Sequence, residues 1–397
     1  MTTIQHKRRR FMQLAGLGSM GLLLPSFRSK NATEWQKDTN TMVYVGTYTN
    51  GKSEGIYLYK LDSNTGELTQ INVTSVKDNP SYLTLDPQKR YLYAVNEIGN
   101  YQGKKSGAVS AFAVDQKSGK LTLLNQQPSL GGAPCYITID KKGKHVLVAN
   151  YSGGNVALFP IGTGGKLEAS ASMHQHSGNS IDEKRQKEPH AHCIVLDPEN
   201  KFAFAADLGI DKIMIYRFDA NTGKLTPNQP AFASVKPGAG PRHFTFHPNG
   251  KHAFVINELD STVTAFTYDA SKGSLTAIHT LSTLPKDFSG ESYCADVHVS
   301  PDGRFVYGSN RGHDSIVVFG FNQKDGKLTH IQNVSTGGKW PRNFTLDPSG
   351  KILLVANQNT DSIVTFKIDN KTGKLTPTGK VAQVPAPVCL KVVTGLG

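Results

Sequence analysis

From residue 80 to about residue 380 the chain repeats one pattern of apolar and polar positions. The unit is clearest at Pro241-Arg242-His243-Phe244, followed by Pro248-Asn249-Gly250-Lys251. An apolar run from Ala253 to Ile256 then ends at Asn257-Glu258, Thr262 to Phe266 follow, and Leu275-Thr276 come after Gly273. Short β-branched and aromatic runs bounded by Gly, Pro and Asn predict short strands joined by tight turns. No stretch keeps the period of an amphipathic helix. The opening prolines are Pro80, Pro134, Pro189, Pro241, Pro341 and Pro387, and one unit opens without Pro near Ser292-Tyr293. A period of about 50 residues means stacked or radial copies of one supersecondary unit.

Each unit predicts four strands, A to D. Strand A follows the Pro, as in Tyr82-Leu83-Thr84-Leu85. A turn such as Asp347-Pro348-Ser349-Gly350 leads to strand B, a mostly apolar run ending on a polar residue, as in Leu353 to Asn357. Strand C alternates, as in Ile363-Val364-Thr365-Phe366, and a Gly-Lys-Leu-Thr turn opens strand D at Gly373 to Thr376. Six units are complete. Before them, Val43 to Thr69 supply only B, C and D; after them, Pro387-Val388-Cys389-Leu390 supply only an A. The two fragments complete one another. The expected fold is therefore all-β: a seven-bladed β-propeller of four-stranded blades, its ring closed by N-terminal strands B–D and a C-terminal strand A. A solenoid would cap its ends instead of joining them.

Strands A and B are antiparallel neighbours, so the start of A and the end of B share one rim, which in a propeller surrounds the axial channel. Loops on a rigid scaffold around a concave centre are the default place for a site. That rim collects His190, His192 and Asp207; Arg242, His243, Asn257 and Glu258; Asp296, Asn310, Arg311 and His313; Arg342 and Asn357; and Glu97 and Tyr151. The Asn that ends strand B recurs in most units, which suits a turn hydrogen bond as well as a site. His190 and His192, two apart on a strand, would share a face and could hold a metal. No third ligand is fixed by the sequence, and no metal is expected. His247 and His252 fall at the opposite turn and are expected on the surface. No P-loop and no G-x-S-x-G nucleophile elbow is present.

Charge changes the picture less than its size suggests. Of the formal +13, six positive residues lie in the first 30, which hold no Asp or Glu; +7 remains without them. The other lysines are scattered over Gly-Lys turns, so no nucleic-acid partner is expected. The cysteines, Cys135, Cys193, Cys294 and Cys389, all fall in A strands, form no C-x-x-C pair and are expected as buried free thiols. Lys7-Arg8-Arg9-Arg10-Phe11-Met12 precede a short apolar run from Leu14 to Leu24. This resembles a twin-arginine export signal, too short for stable membrane insertion. It implies a signal and linker over residues 1–41, cleavage between about Ala32 and Met42, a propeller over 42–397, and a periplasmic or secreted product. A monomer is expected.

The repeat, Pro189-His190-Ala191-His192, Gly240-Pro241-Arg242-His243, Asn257-Glu258, and Pro301-Asp302-Gly303-Arg304 to Ser309-Asn310-Arg311 together resemble the seven-bladed lactonase family. That family contains propeller-type 6-phosphogluconolactonases and fungal carboxy-cis,cis-muconate cyclases, and the resemblance spans about residues 42 to 393. It implies lactone chemistry without a cofactor and site residues at His192, Arg242, Glu258 and Arg311. On this reading Glu258 or His192 is the base acting on water, and Arg242 stabilises the oxyanion. Arg311 and Arg342 hold a phosphate or carboxylate, and His190, His243 and Asn310 complete the substrate site. The substrate implied is an anionic small-molecule lactone, with 6-phosphogluconolactone the leading candidate. The alternatives are a non-catalytic exported binding propeller and muconate cyclase-type activity.

Overall fold

The computed structural model describes residues 40–396. The expected export signal, and the expected linker and cleavage region up to residue 39, lie outside the described residues. Seven four-stranded antiparallel sheets, each in the order A-B-C-D, form the blades. The innermost strands run Pro387–Thr394 (blade 1), Tyr82–Leu85 (blade 2), Pro134–Ile139 (blade 3), Ala191–Leu196 (blade 4), Pro241–Phe246 (blade 5), Tyr293–Val299 (blade 6) and Pro341–Leu346 (blade 7). Each packs against the next, and blade 1 packs against blade 2, so the ring is closed. Closure is made by the chain ends: Thr41–Thr47 pairs with Pro387–Thr394, placing Val45 opposite Leu390.

Strands B and C are almost wholly buried, as in His252–Asn257 and Thr262–Asp269, because both faces of a blade pack on neighbouring blades. This explains their continuous apolar runs. At the A–B turn an aspartate caps the backbone in several blades: Asp347 Oδ1 accepts from the amides of Lys351 and Ile352, at 2.8 and 2.7 Å. In blade 5 His247 takes that place. Its Nδ1 accepts from the Asn249 amide and its Nε2 donates to the Gly303 carbonyl of blade 6, at 3.0 and 2.7 Å. His247 and its neighbour His252 are therefore buried between blades, not on the surface. All four cysteines are buried and free. Among the described residues no helix is long and apolar enough to cross a membrane.

One irregularity positions the site. In blade 5 Pro241 faces Asn257 and His243 faces Ile256, so Arg242 is an extra residue on strand A. The same β-bulge singles out His192 in blade 4, Cys135 in blade 3, Arg342 in blade 7 and Val388 in blade 1. In blade 6 Ala295 and Asp296 share the bulge, and in blade 2 Ser81 stands just ahead of Tyr82. A bulge adds local twist and re-aims a side chain. The register also corrects the repeat alignment in blade 4. Ala191, not Pro189, is the counterpart of Pro241, so His190 precedes the strand and shares no strand face with His192.

Candidate active site

The bulged rim encloses a cavity of about 400 Å³. Titratable groups line it from five blades and one connection: Glu97, Arg185, His192, Glu258, Arg311 and Arg342. Tyr151, Tyr293, Trp340 and Cys135 complete the wall. Glu258, just past the end of strand B in blade 5, is the electrostatic centre. Its Oε2 lies 2.9 Å from Arg242 Nε and 2.7 Å from Arg311 Nη2, and its Oε1 lies 2.7 Å from Arg185 Nη2. Burial would raise the Glu258 pKa, but Arg311, Arg242 and Arg185 outweigh it and hold the carboxyl far below its usual range. Both oxygens are thus engaged, and the group is a fixed anion.

The arginines differ in what they have left to give. Arg242 is fully buried and also donates from Nη1 to the Ala295 carbonyl of blade 6. Arg311 donates from Nε to the Tyr293 carbonyl and from Nη2 to the Cys294 carbonyl, at 3.3 and 3.0 Å. Burial lowers the Arg311 pKa to about 10, with Glu258 acting against that shift. The Arg185 side chain is 35% exposed and, among the described residues, bonds only Glu258 and the Tyr151 hydroxyl. Arg342 makes no side-chain hydrogen bond to any described residue. Its nearest carboxylate oxygen is Glu97 Oε1 at 3.9 Å, and its guanidinium lies 5.5 Å over the Tyr48 ring. Glu97 itself accepts from the Tyr48 and Ser81 hydroxyls, at 3.0 and 2.5 Å.

His192 faces this charge as a neutral base. Burial, with Arg242 and His243 nearby, pushes its pKa well below the usual value. Its Nδ1 lies 3.7 Å from the Cys135 sulfur and its ring meets Tyr151 edge-on at 5.5 Å. Burial and the Glu97 charge push the Cys135 thiol well up, so it stays protonated and is no nucleophile.

Three of the expected substrate contacts lie elsewhere. His243 sits one residue deeper, with Nδ1 2.7 Å from Asp296 Oδ1, in a network with buried Asn343 and half-buried His298. Asn310 is spent inside blade 6, donating to the Thr283 carbonyl and the Ser315 hydroxyl and accepting from the Thr283 hydroxyl. Asn96, Asn150 and Asn357 likewise bond backbone carbonyls, so the recurring Asn is a feature of the fold. His190 stacks on Tyr151 at 4.5 Å, its Nδ1 3.1 Å from the Tyr151 carbonyl. Among the described residues no cluster of three or more His, Cys, Asp or Glu could hold a metal ion.

Arg185 escaped the sequence reading. It lies in the connection 176–190, longer than its counterparts in other blades and dense in charge, which was the available signal. The connection is pinned across the rim. The Asp182 carboxylate accepts the amides of Lys184 and Arg185, buried Gln186 donates to the Leu208 carbonyl at 2.8 Å, and His176 Nδ1 lies 2.6 Å from Asp207.

The model of the "Lactonase, 7-bladed beta-propeller" family matches residues 42–392. The chain belongs to this lactonase family. A Bacillus subtilis relative named 6-phosphogluconolactonase is 40% identical over 309 residues, 78% of this chain and 86% of the relative. A Formosa agariphila relative of the same name is 38% identical over 77% of this chain and 86% of its own length. The solved structure of a Pseudomonas aeruginosa periplasmic gluconolactonase is similar at a TM-score of 0.84 and 34% identity, covering 89% of this chain and 99% of that one.

Proposed function

We propose that this chain hydrolyses the ring ester of a sugar lactone, with 6-phosphogluconolactone the leading candidate. The observation that carries this is one cavity holding a neutral imidazole, His192, beside a guanidinium with its donors free, Arg342. His192 takes a proton from water as the water oxygen adds to the lactone carbonyl. The oxyanion forms against the guanidinium cluster held by Glu258, in which Arg185 keeps donors free. The acyl C–O bond then breaks, the ring oxygen receives the proton from His192, and the new carboxylic acid loses its proton to solvent. Arg342 binds the phosphate or other anionic substituent. Glu258 acts as the counter-charge that lets three arginines share one wall, not as the base. The relatives named 6-phosphogluconolactonase support the phosphorylated substrate.

A second reading, the unphosphorylated gluconolactone, is favoured by location. Arg8-Arg9 and the apolar run after them support export of a folded protein to the periplasm, and one relative is named a periplasmic gluconolactonase. The deciding experiment is a panel of phosphorylated and free aldonolactones plus a muconolactone, with spontaneous opening subtracted. Turnover of an aldonolactone that disappears in His192→Asn supports the proposal. Turnover of none leaves a binding propeller, and turnover of the muconolactone alone makes it a cyclase-type enzyme.

A further inference from the structure

The residue just before the opening Pro has a left-handed backbone in five blades: Asn79 (φ 52°), Ala133 (φ 50°), Gly240 (φ 66°), Trp340 (φ 65°) and Ala386 (φ 42°). Gly and Asn take this conformation readily, and the two Ala carry only a methyl group. A bulky aromatic residue there is an outlier. Backbones held in such regions cluster where a ligand must be met by a fixed group. Trp340 is held on both sides: its amide donates to Asp314 Oδ1 at 2.8 Å and its carbonyl accepts from the Gln358 amide at 3.1 Å.

The indole lines the cavity and is half-buried. The Arg311 guanidinium lies 5.3 Å over one face, and Arg311 is itself locked by Glu258 and two carbonyls. The Tyr293 ring lies beside it at 6.3 Å. Beside the guanidiniums of Arg311 and Arg342, a clamped indole offers what they cannot, a broad π-surface. The C–H bonds on one side of a saturated sugar ring carry partial positive charge, and an aromatic face is negative. A flat unsaturated lactone lacks that C–H face.

We infer that Trp340, with Tyr293, is a stacking platform that selects the saturated ring of a sugar-type lactone over flat unsaturated lactones. The inference rests on the lactonase reading for its substrate, and its test separates the two. The chain has two tryptophans, so Trp35→Phe leaves Trp340 as the sole indole reporter. Glucono-δ-lactam, which keeps the ring but resists hydrolysis, is titrated against this variant; a saturable change in indole emission is expected. Trp340→Asn, the residue blade 2 carries as Asn79, is expected to fold with unchanged circular dichroism. Its KM for the aldonolactone rises about tenfold, with kcat within about twofold. Trp340→Phe recovers most of the loss. Flat emission up to millimolar lactam, or an unchanged KM in Trp340→Asn, overturns the platform while lactone turnover leaves the lactonase reading standing. A saturable emission change in a protein that hydrolyses no lactone supports the platform and removes the catalytic reading.

Discussion

Replacing Glu258 by Gln deletes the one anion that three guanidiniums share and leaves buried positive charge uncompensated. The expected cost is about 3–5 kcal/mol of stability, read from urea unfolding. The acid limb of the pH–rate profile is expected to stay where it is, because the proposed base is His192. A limb that vanishes in Glu258→Gln would return that role to the glutamate. His192→Asn is expected to lower kcat by about 10² to 10⁴ with the fold retained. His243 makes a separate prediction. Burial, with Arg242 nearby, lowers its pKa to about 4 against the pull of Asp296. Between that value and its ordinary 6.5 the unfolded chain binds more protons than the native one. Its contribution is therefore whole above pH 6.5 and lost as pH falls toward 4, on the order of 3 kcal/mol. Melting temperatures across pH 4–7 should fall on the acid side, and fall less in His243→Gln. At this scale the sequence pointed to Glu258, Arg242 and Arg311, because charge stands just after an opening Pro or just after the Asn that ends strand B, as it also does at Arg342 and Glu97. It did not show that Asn310 and His243 turn inward, since that depends on partners such as Thr283 and Asp296 in other strands or blades.

The connection 176–190 acts as a strap whose set-point is Gln186. Gln186→Ala leaves the Leu208 carbonyl without its partner and should cost about 1–3 kcal/mol. Because Arg185 is the next residue, KM should rise and kcat fall together. Arg185→Gln should reproduce the kinetic change without the loss of melting temperature; a Gln186→Ala enzyme with wild-type kinetics would show that the strap does not set Arg185. Strands themselves were legible, since period-two runs and Gly or Pro turns have a local cause. The bulges were not. An extra residue in strand A looks like any other until its partner strand fixes the register, which is why Pro189 passed for the opening of blade 4 when Ala191 is. The strap carries no periodic pattern, and only its length and charge marked it.

The closed ring was the most legible feature, because a missing strand A at one end and an extra one at the other admit one arrangement. Removing residues 387–397 takes away the partner of Thr41–Thr47, exposes that edge of blade 1 and uncovers the inner strand of blade 7 that packs on it. A single cooperative unfolding transition should give way to a broad one with lower ellipticity. Retention of the sharp transition would mean the six remaining blades stand without the seam. The residues at this point of the inner strands, meanwhile, amount to an alphabet with one letter per blade: bulged Val388, Cys135, His192, Arg242 and Arg342, the pair Ala295 and Asp296, and Ser81 just ahead of its strand. Each letter hangs on its own sheet, outside the pairing that sets that sheet's register. One letter can therefore be rewritten while the other six keep their spelling. A fold of this kind inherits new chemistry by editing single characters around a hub, and the barrier between one substrate and the next is a matter of vocabulary, not of architecture.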